Sequence, residues 1–262
     1  MKWFWRILAA GMSLTILVSG AWLIAVPEGL LRDVIETPRG DISAEAGGLS
    51  KGWFFNFRAD EITLIRQDKE ILTIENVSCR INPLPLLLLK VSLEIEGDLA
   101  GGRLAGRATL HRKGISASVR VDAADASGIA FLSSLGVVER GTLSGDLSLR
   151  DGSGEVRFSL DDARLKDRVF SGVPVPLSLF RAAKAALTVK DGSLSVTSFS
   201  LKGEGIYARV KGDVKARVLD LTIEIMPDAS FKEKPFLWAI MQYQVSPGYY
   251  VIPVRGDLTQ GS

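Results

Sequence analysis

The sequence predicts a mainly β fold: a long, curved antiparallel meander sheet with a few short capping helices, preceded by one N-terminal transmembrane helix. Three observations predict it. Apolar and polar residues alternate in run after run beyond Ser50, which is the period of strands with one buried face. Turn-forming Gly, Pro, Asn and Asp separate these runs, and 26 glycines are available to do so. Ile7 to Val26 carries no charge, and twenty residues of helix span about 30 Å, the hydrocarbon thickness of a bilayer.

The N-terminal segment, residues 1–26, is the strongest single signal. Lys2 and Arg6 lie on its short side and Trp3, Trp5 and Trp22 near its ends, so the N-terminus is expected in the cytoplasm and the rest of the chain outside it. Ser19-Gly20-Ala21 offers the competing reading, a cleaved signal peptide; the apolar Trp22 to Val26 beyond it favours a retained anchor. Residues 27–48 read as a linker with a short helix over Glu28 to Ile35, ended at Thr37-Pro38-Arg39-Gly40. Residues 49–262 read as the β-rich domain of the chain, whose length suits one large or two small domains, a count the sequence leaves open.

Within that domain Ser50 to Arg66 holds one or two strands, Asp68-Lys69 turns the chain, and Ile71 to Arg80 returns. Asn82 to Lys90 contains Pro83 and Pro85, which suit a one-turn plug or a docking loop better than a central strand. Val91 to Leu110 is a hairpin about Gly101-Gly102, and Ile115 to Val121 is a third strand beside it. Asp125 to Leu135 loses the alternation and reads as a short helix. Gly141 to Leu165 is the plainest hairpin: Leu143, Leu147 and Leu149 share one parity, Asp151-Gly152-Ser153-Gly154 turns, and Val156, Phe158 and Leu160 resume it. Leu177 to Ala186 reads as another short helix. Strands follow at Leu187 to Val189, Leu194 to Leu201, Ile206 to Val210 and Val214 to Ile225. Phe236 to Tyr243 is a helix apolar around most of its surface, fit for a lid or for a partner, and Tyr249 to Leu258 is an edge strand because it contains Pro253. Gly-Asp followed by Leu or Val recurs at Gly97, Gly145, Gly212 and Gly256 with unequal intervals, and reads as a strand-edge or turn device.

Composition narrows function. With 32 basic and 30 acidic residues the net charge is +2 and no basic tract exists, so no nucleic-acid partner is expected. A single cysteine, Cys79, and a single histidine, His111, form neither a disulfide nor a His/Cys metal site. Glu94 with Glu96 and Asp161 with Asp162 are close carboxylates best explained as a solvated sheet face. There is no Gly-rich phosphate loop and no nucleophile elbow. No catalytic, cofactor-binding or metal residues are therefore assigned, no cofactor is expected, and the chain is not read as an enzyme. The candidate site is instead an apolar lining: Val156, Phe158, Leu160, Ile206, Ala208, Val210, Leu221 and Ile223. The same residues equally suit an ordinary closed core.

Several diffuse patterns carry a family resemblance. They are the N-terminal anchor, Gly101 to Gly106, Gly141 to Gly145, Gly172 to Pro176, Asp191 to Val196, Gly203 to Gly212 and Arg255 to Leu258. Across nearly its whole length the chain resembles the type II secretion system protein N family, also called general secretion pathway protein N. It also resembles the wider AsmA-like group, whose groove-shaped β-sheets are linked to lipid transport. The resemblance implies a non-catalytic accessory of the type II protein secretion system in a Gram-negative bacterium. Such a protein is single-pass in the inner membrane with its bulk in the periplasm, and its partners are that membrane and other secretion-apparatus subunits. The alternative it implies is a periplasmic groove binding phospholipid or another acyl lipid.

Overall fold

The computed structural model describes residues 28–38, 41–83, 85, 90–111, 114–170, 173–190, 193–215, 218–232 and 234–257. Three short α-helices occur among them: α1 (Glu28–Glu36), α2 (Ala130–Ser134) and α3 (Lys234–Ile240). The strands are β1 (Ile42–Gly47), β2 (Ser50–Lys51), β3 (Asn56–Arg66), β4 (Lys69–Asn82), β5 (Val91–Leu99), β6 (Gly102–His111) and β7 (Gly114–Asp125). They continue as β8 (Val138–Arg150), β9 (Ser153–Leu165), β10 (Arg168–Phe170), β11 (Val173–Val175), β12 (Phe180–Lys190), β13 (Ser193–Gly203), β14 (Ile206–Lys215), β15 (Val218–Pro227), β16 (Gln244–Ser246) and β17 (Tyr249–Asp257). Fifteen of them form one sheet in the order β1-β3-β4-β5-β6-β7-β8-β9-β12-β13-β14-β15-β17-β16, with β2 on β3; β10 and β11 pair separately. Neighbours in this order are almost all neighbours in sequence, so the predicted antiparallel meander is the observed fold.

Two expectations are revised. The span read as a linker, 27–48, contains β1, which pairs with β3 from Ile42↔Arg66 to Gly47↔Glu61, so the sheet begins inside it. Its helix forms as α1, and Glu36 accepts a hydrogen bond from the Ala46 N–H at 3.4 Å, while Glu28 accepts one from the Lys51 N–H at 3.1 Å. Leu177 to Ala186 is not a helix. Only a 3-10 turn, Leu177–Leu179, precedes β12, because pairing with β9 and β13 on both sides outweighs the helix propensity of its alanines. The domain count, open in the sequence, is two compact units: the described residues of 1–98 with 107–112 and those of 99–106 with 113–262. The expected anchor, 1–26, and most of the Asn82 to Lys90 plug lie outside the described residues. Among the described residues no helix is long and apolar enough to cross a membrane.

The Gly-Asp pairs are not turns. Gly97, Gly145 and Gly212 lie inside β5, β8 and β14, each opposite a neighbour that carries one extra residue: Glu75 to Ser78 in β4, Val121 to Ala124 in β7 and Val196 to Phe199 in β13. At Gly97 the bulged strand itself leaves no room for a side chain, and a Cβ there would sit 2.8 Å from Ile74 Cγ2 of β4. At Gly145 and Gly212 the close approach comes from the strand on the other side: a Cβ on Gly145 would sit 2.9 Å from Phe158 Cβ of β9, and one on Gly212 would collide with the Asp220 carbonyl of β15. The bulge residues Asn76 (φ 50°) and Ala123 (φ 56°) are left-handed. Polar groups of the facing strand hold the distortion: Asn76 Nδ2 donates to Asp98 at 2.8 Å, the Ala123 N–H to Ser144 Oγ at 3.0 Å, and Ser195 Oγ to Asp213 at 2.7 Å. True turns are tighter. Asp151 (φ 51°) and Gly152 (φ 85°) close the β8–β9 hairpin as a two-residue loop, the backbone sense that matches strand twist.

Each unit has its own core. In the first, Phe57, Ala59, Val77 and Cys79 are buried, with Ile35 of α1 and Ile62, Ile74, Ile81, Leu93 and Ile95 packed around them. In the second, a larger cluster runs from Leu160 and Phe180 through Leu201, Ile206 and Ile225 to Tyr250 and Ile252, with Phe236 and Ile240 supplied by α3.

Candidate functional site

The second unit presents one apolar sheet face, and cross-strand register orders it into rows. Leu143 pairs Leu160, then Ala183, Leu201, Ala208, Ile225 and Tyr250. Two residues along each strand, Gly145 pairs Phe158, then Ala185, Phe199, Val210, Ile223 and Ile252. Two further, Leu147 pairs Val156, then Leu187, Val196, Gly212, Leu221 and Val254. Side chains two apart along a strand share a face, so all three rows look the same way.

Burial falls across these rows. In the first row every residue except Leu143 is buried, Ile225 being 3% exposed and Leu160 6%. The middle row is mostly half-buried. The third has no buried member; Leu147 is 37% exposed and Val156, Leu187 and Leu221 are half-buried. From Ile225 to Leu221 is four residues, ~13 Å of strand.

The connections explain the gradient. At the first row's end the chain joins β7 to β8, β9 to β12 and β15 to β17 through 12, 14 and 21 residues. Those segments contain α2, the Leu177–Leu179 turn and α3, and they fold Leu132, Leu177, Phe236, Leu237, Ile240 and Tyr243 onto the apolar face. At the opposite end β8–β9, β12–β13 and β14–β15 are joined by two residues each, too few to reach back over the face. The third row is left without a cover of its own chain among the described residues.

The charged chemistry lies away from this face. Lys211 Nζ pairs with Glu224 Oε1 at 3.0 Å from β14 to β15, on the polar side. Asp125 accepts from the Ser127 hydroxyl at 2.7 Å and the Ser127 N–H at 2.9 Å, and these two bonds hold its carboxyl below the usual range. Asp228 is held low in the same way by the hydroxyl and N–H of Ser230. Both are turn locks where the chain leaves a strand for a helical connection. Burial pushes the Cys79 thiol up to about 12, which makes it a packing residue and an unreactive one. Among the described residues no group of three His, Cys, Asp or Glu is placed to hold a metal ion.

All eight residues named from the sequence fall on the one apolar face, but they divide. Leu160, Ile206 and Ala208 are buried in the cluster under the helices; Val156, Phe158, Val210, Leu221 and Ile223 are half-buried on the rest of the face. Sequence reasoning left out the other members of the rows, among them Leu147, Leu187, Phe199 and Ile252. For β13 the signal was present as a break in parity: Leu194 and Val196 are even, Phe199 and Leu201 odd, and the bulge is what reconciles them.

No family model, no curated protein and no solved structure matches this chain.

Proposed function

We propose that this chain is a non-catalytic accessory component of the type II secretion system, anchored in the inner membrane of a Gram-negative bacterium with its β-sheet in the periplasm. The observation that carries the reading is the meander itself: consecutive strands pair in sequence order and gather their apolar residues on one face. That is the fold the family resemblance leads one to expect, and such a sheet offers strand edges and an apolar face to other subunits rather than a reaction centre. Residues 1–26 supply the anchor in this reading. The test is to isolate the intact secretion apparatus from the native membrane and look for this chain by mass spectrometry. A stoichiometric chain supports the role; an apparatus complete without a trace of it refutes it.

A second reading is favoured by the burial gradient. A face closed at one end and uncovered at the other suits a curved trough that shields an acyl lipid, with Val156, Phe158, Val210, Leu221 and Ile223 as lining. Purification from the inner membrane followed by solvent extraction separates the two: about one phospholipid per chain favours the trough, and a clean extract from folded protein favours the subunit.

A further inference from the structure

We infer that the loop 52–55 of the first unit seats in the headgroup layer of the bilayer that carries the chain, with Trp53 and Phe54 as the inserted side chains. The loop joins β2 to β3 and is tied at both ends. The Gly52 N–H donates to the Asn56 carbonyl at 2.9 Å, and the Phe55 carbonyl accepts from the Ile81 N–H at 2.9 Å. Between these ties Trp53 is 59% and Phe54 53% exposed. Phe54 (φ 56°) and Phe55 (φ 61°) are both left-handed, a backbone conformation that is sterically costly for residues other than glycine. An exposed aromatic pair on a strained, pinned tip is surface that the fold itself does not use.

The tether selects lipid as the occupant. Two hydrogen bonds register α1 on the sheet: the N–H of Lys51, which pairs with Phe57, donates to Glu28 at 3.1 Å, and the N–H of Ala46, which pairs with Ile62, donates to Glu36 at 3.4 Å. Ile35 packs into the core below them. The helix therefore starts at the Phe57 end of β3, and the loop 52–55 lies beyond that same end. The uncharged span 7–26 stops two residues before Glu28, and Trp53 stands two residues after Lys51; each step is at most ~7 Å of chain. The Glu28–Lys51 hydrogen bond thus holds the tip beside the place where the chain leaves the hydrocarbon. So closely tethered, the bilayer has a far higher effective concentration at the tip than any free partner. An indole suits headgroup level, and a neighbouring phenyl ring suits the acyl boundary below it.

The inference rests on the membrane anchoring proposed above and is independent of a place in secretion. The full chain is reconstituted in vesicles of phosphatidylethanolamine and phosphatidylglycerol. Trp53→Cys carries one environment-sensitive dye at the tip. As a control, Lys69→Cys carries it at an exposed position beyond the far end of β3, a strand that runs ~33 Å from Asn56 to Arg66. Buried Cys79 stays unlabelled, so a single dye per chain also reports that the unit is folded. Seating predicts that the dye at 53 is quenched several-fold by lipid spin-labelled near the headgroup and shielded from aqueous iodide, while the dye at 69 answers only to iodide. Iodide access at 53 in protein that floats with the vesicles overturns it. Shielding at 53 from both quenchers also overturns it, since protein then covers the tip. Protein that does not float with the vesicles removes the anchor, and the inference with it.

Discussion

Two stretches of one strand differ more than their sequences do. Ile225 and Leu221 lie on β15, face the same way and have apolar cross-strand neighbours, yet Ile225 is sealed and Leu221 half open. Alternation chose the face; the length of the connections at each end chose how much of it is covered. Strand pattern and burial are thus separable properties of a meander.

The largest test of that separation is a charge at each position. Ile225→Asp places an unpaired carboxylate in a closed cluster and should cost about 4 kcal/mol or more, enough to prevent folding. Leu221→Asp should cost about 1–2 kcal/mol and leave a cooperative urea transition. Equal losses would mean that the face is closed at both ends. Next comes the cover itself: Ile240→Ala, at a fully buried position, should lose about 2–5 kcal/mol, whereas Trp238→Ala should stay within about 0.5 kcal/mol in the same denaturation experiment.

Backbone geometry gives a smaller contrast within the open end. Gly212 has φ +137° and a Cβ there would collide with the Asp220 carbonyl, so Gly212→Ala should cost about 2 kcal/mol although the row is half exposed. Gly152 has φ +85° with open space around it, and Gly152→Ala should cost about 1 kcal/mol. Ionisation of the Cys79 thiol has no effect on stability at neutral pH, where the group is protonated in both states. Its folded pKa is raised, so the fold keeps a proton that the unfolded chain releases, and stability should fall as pH rises from 9.0 towards about 12, a loss that Cys79→Ala abolishes. The smallest effect belongs to the lock at the start of the connection that carries α2. Asp125→Ala should cost about 1 kcal/mol. Because the Ser127 bonds lower that carboxyl, their stabilisation is present above the ordinary carboxylate pKa and fades as pH falls through the lowered one.

Much of the fold was legible. The Gly141 to Leu165 hairpin, the β5 to β7 meander and the lid helix at Phe236 follow from period and turn chemistry. Leu177 to Ala186 misled because Ala-Ala-Lys-Ala-Ala-Leu favours a helix when read alone, and only strands on both sides make it β12. The Gly-Asp pairs misled because a glycine facing a bulge and a glycine in a turn look identical in one strand; the difference lies in the neighbour. Of the candidate site, the face was legible and the cover was not: nothing in Leu160 or Val156 marks one as buried and the other as half open.

By itself the sequence determined the period-2 alternation, hence strand identity, the apolar face and the meander order, because these depend on residues near one another in the chain. It also determined the uncharged stretches, residues 7–26 and 235–254. Tertiary structure alone decided where bulges shift the parity, which alanines become strand and which end of the face α2 and α3 cover. Those outcomes depend on contacts between residues far apart in sequence, whose free energy exceeds the few tenths of a kcal/mol by which local propensity chooses.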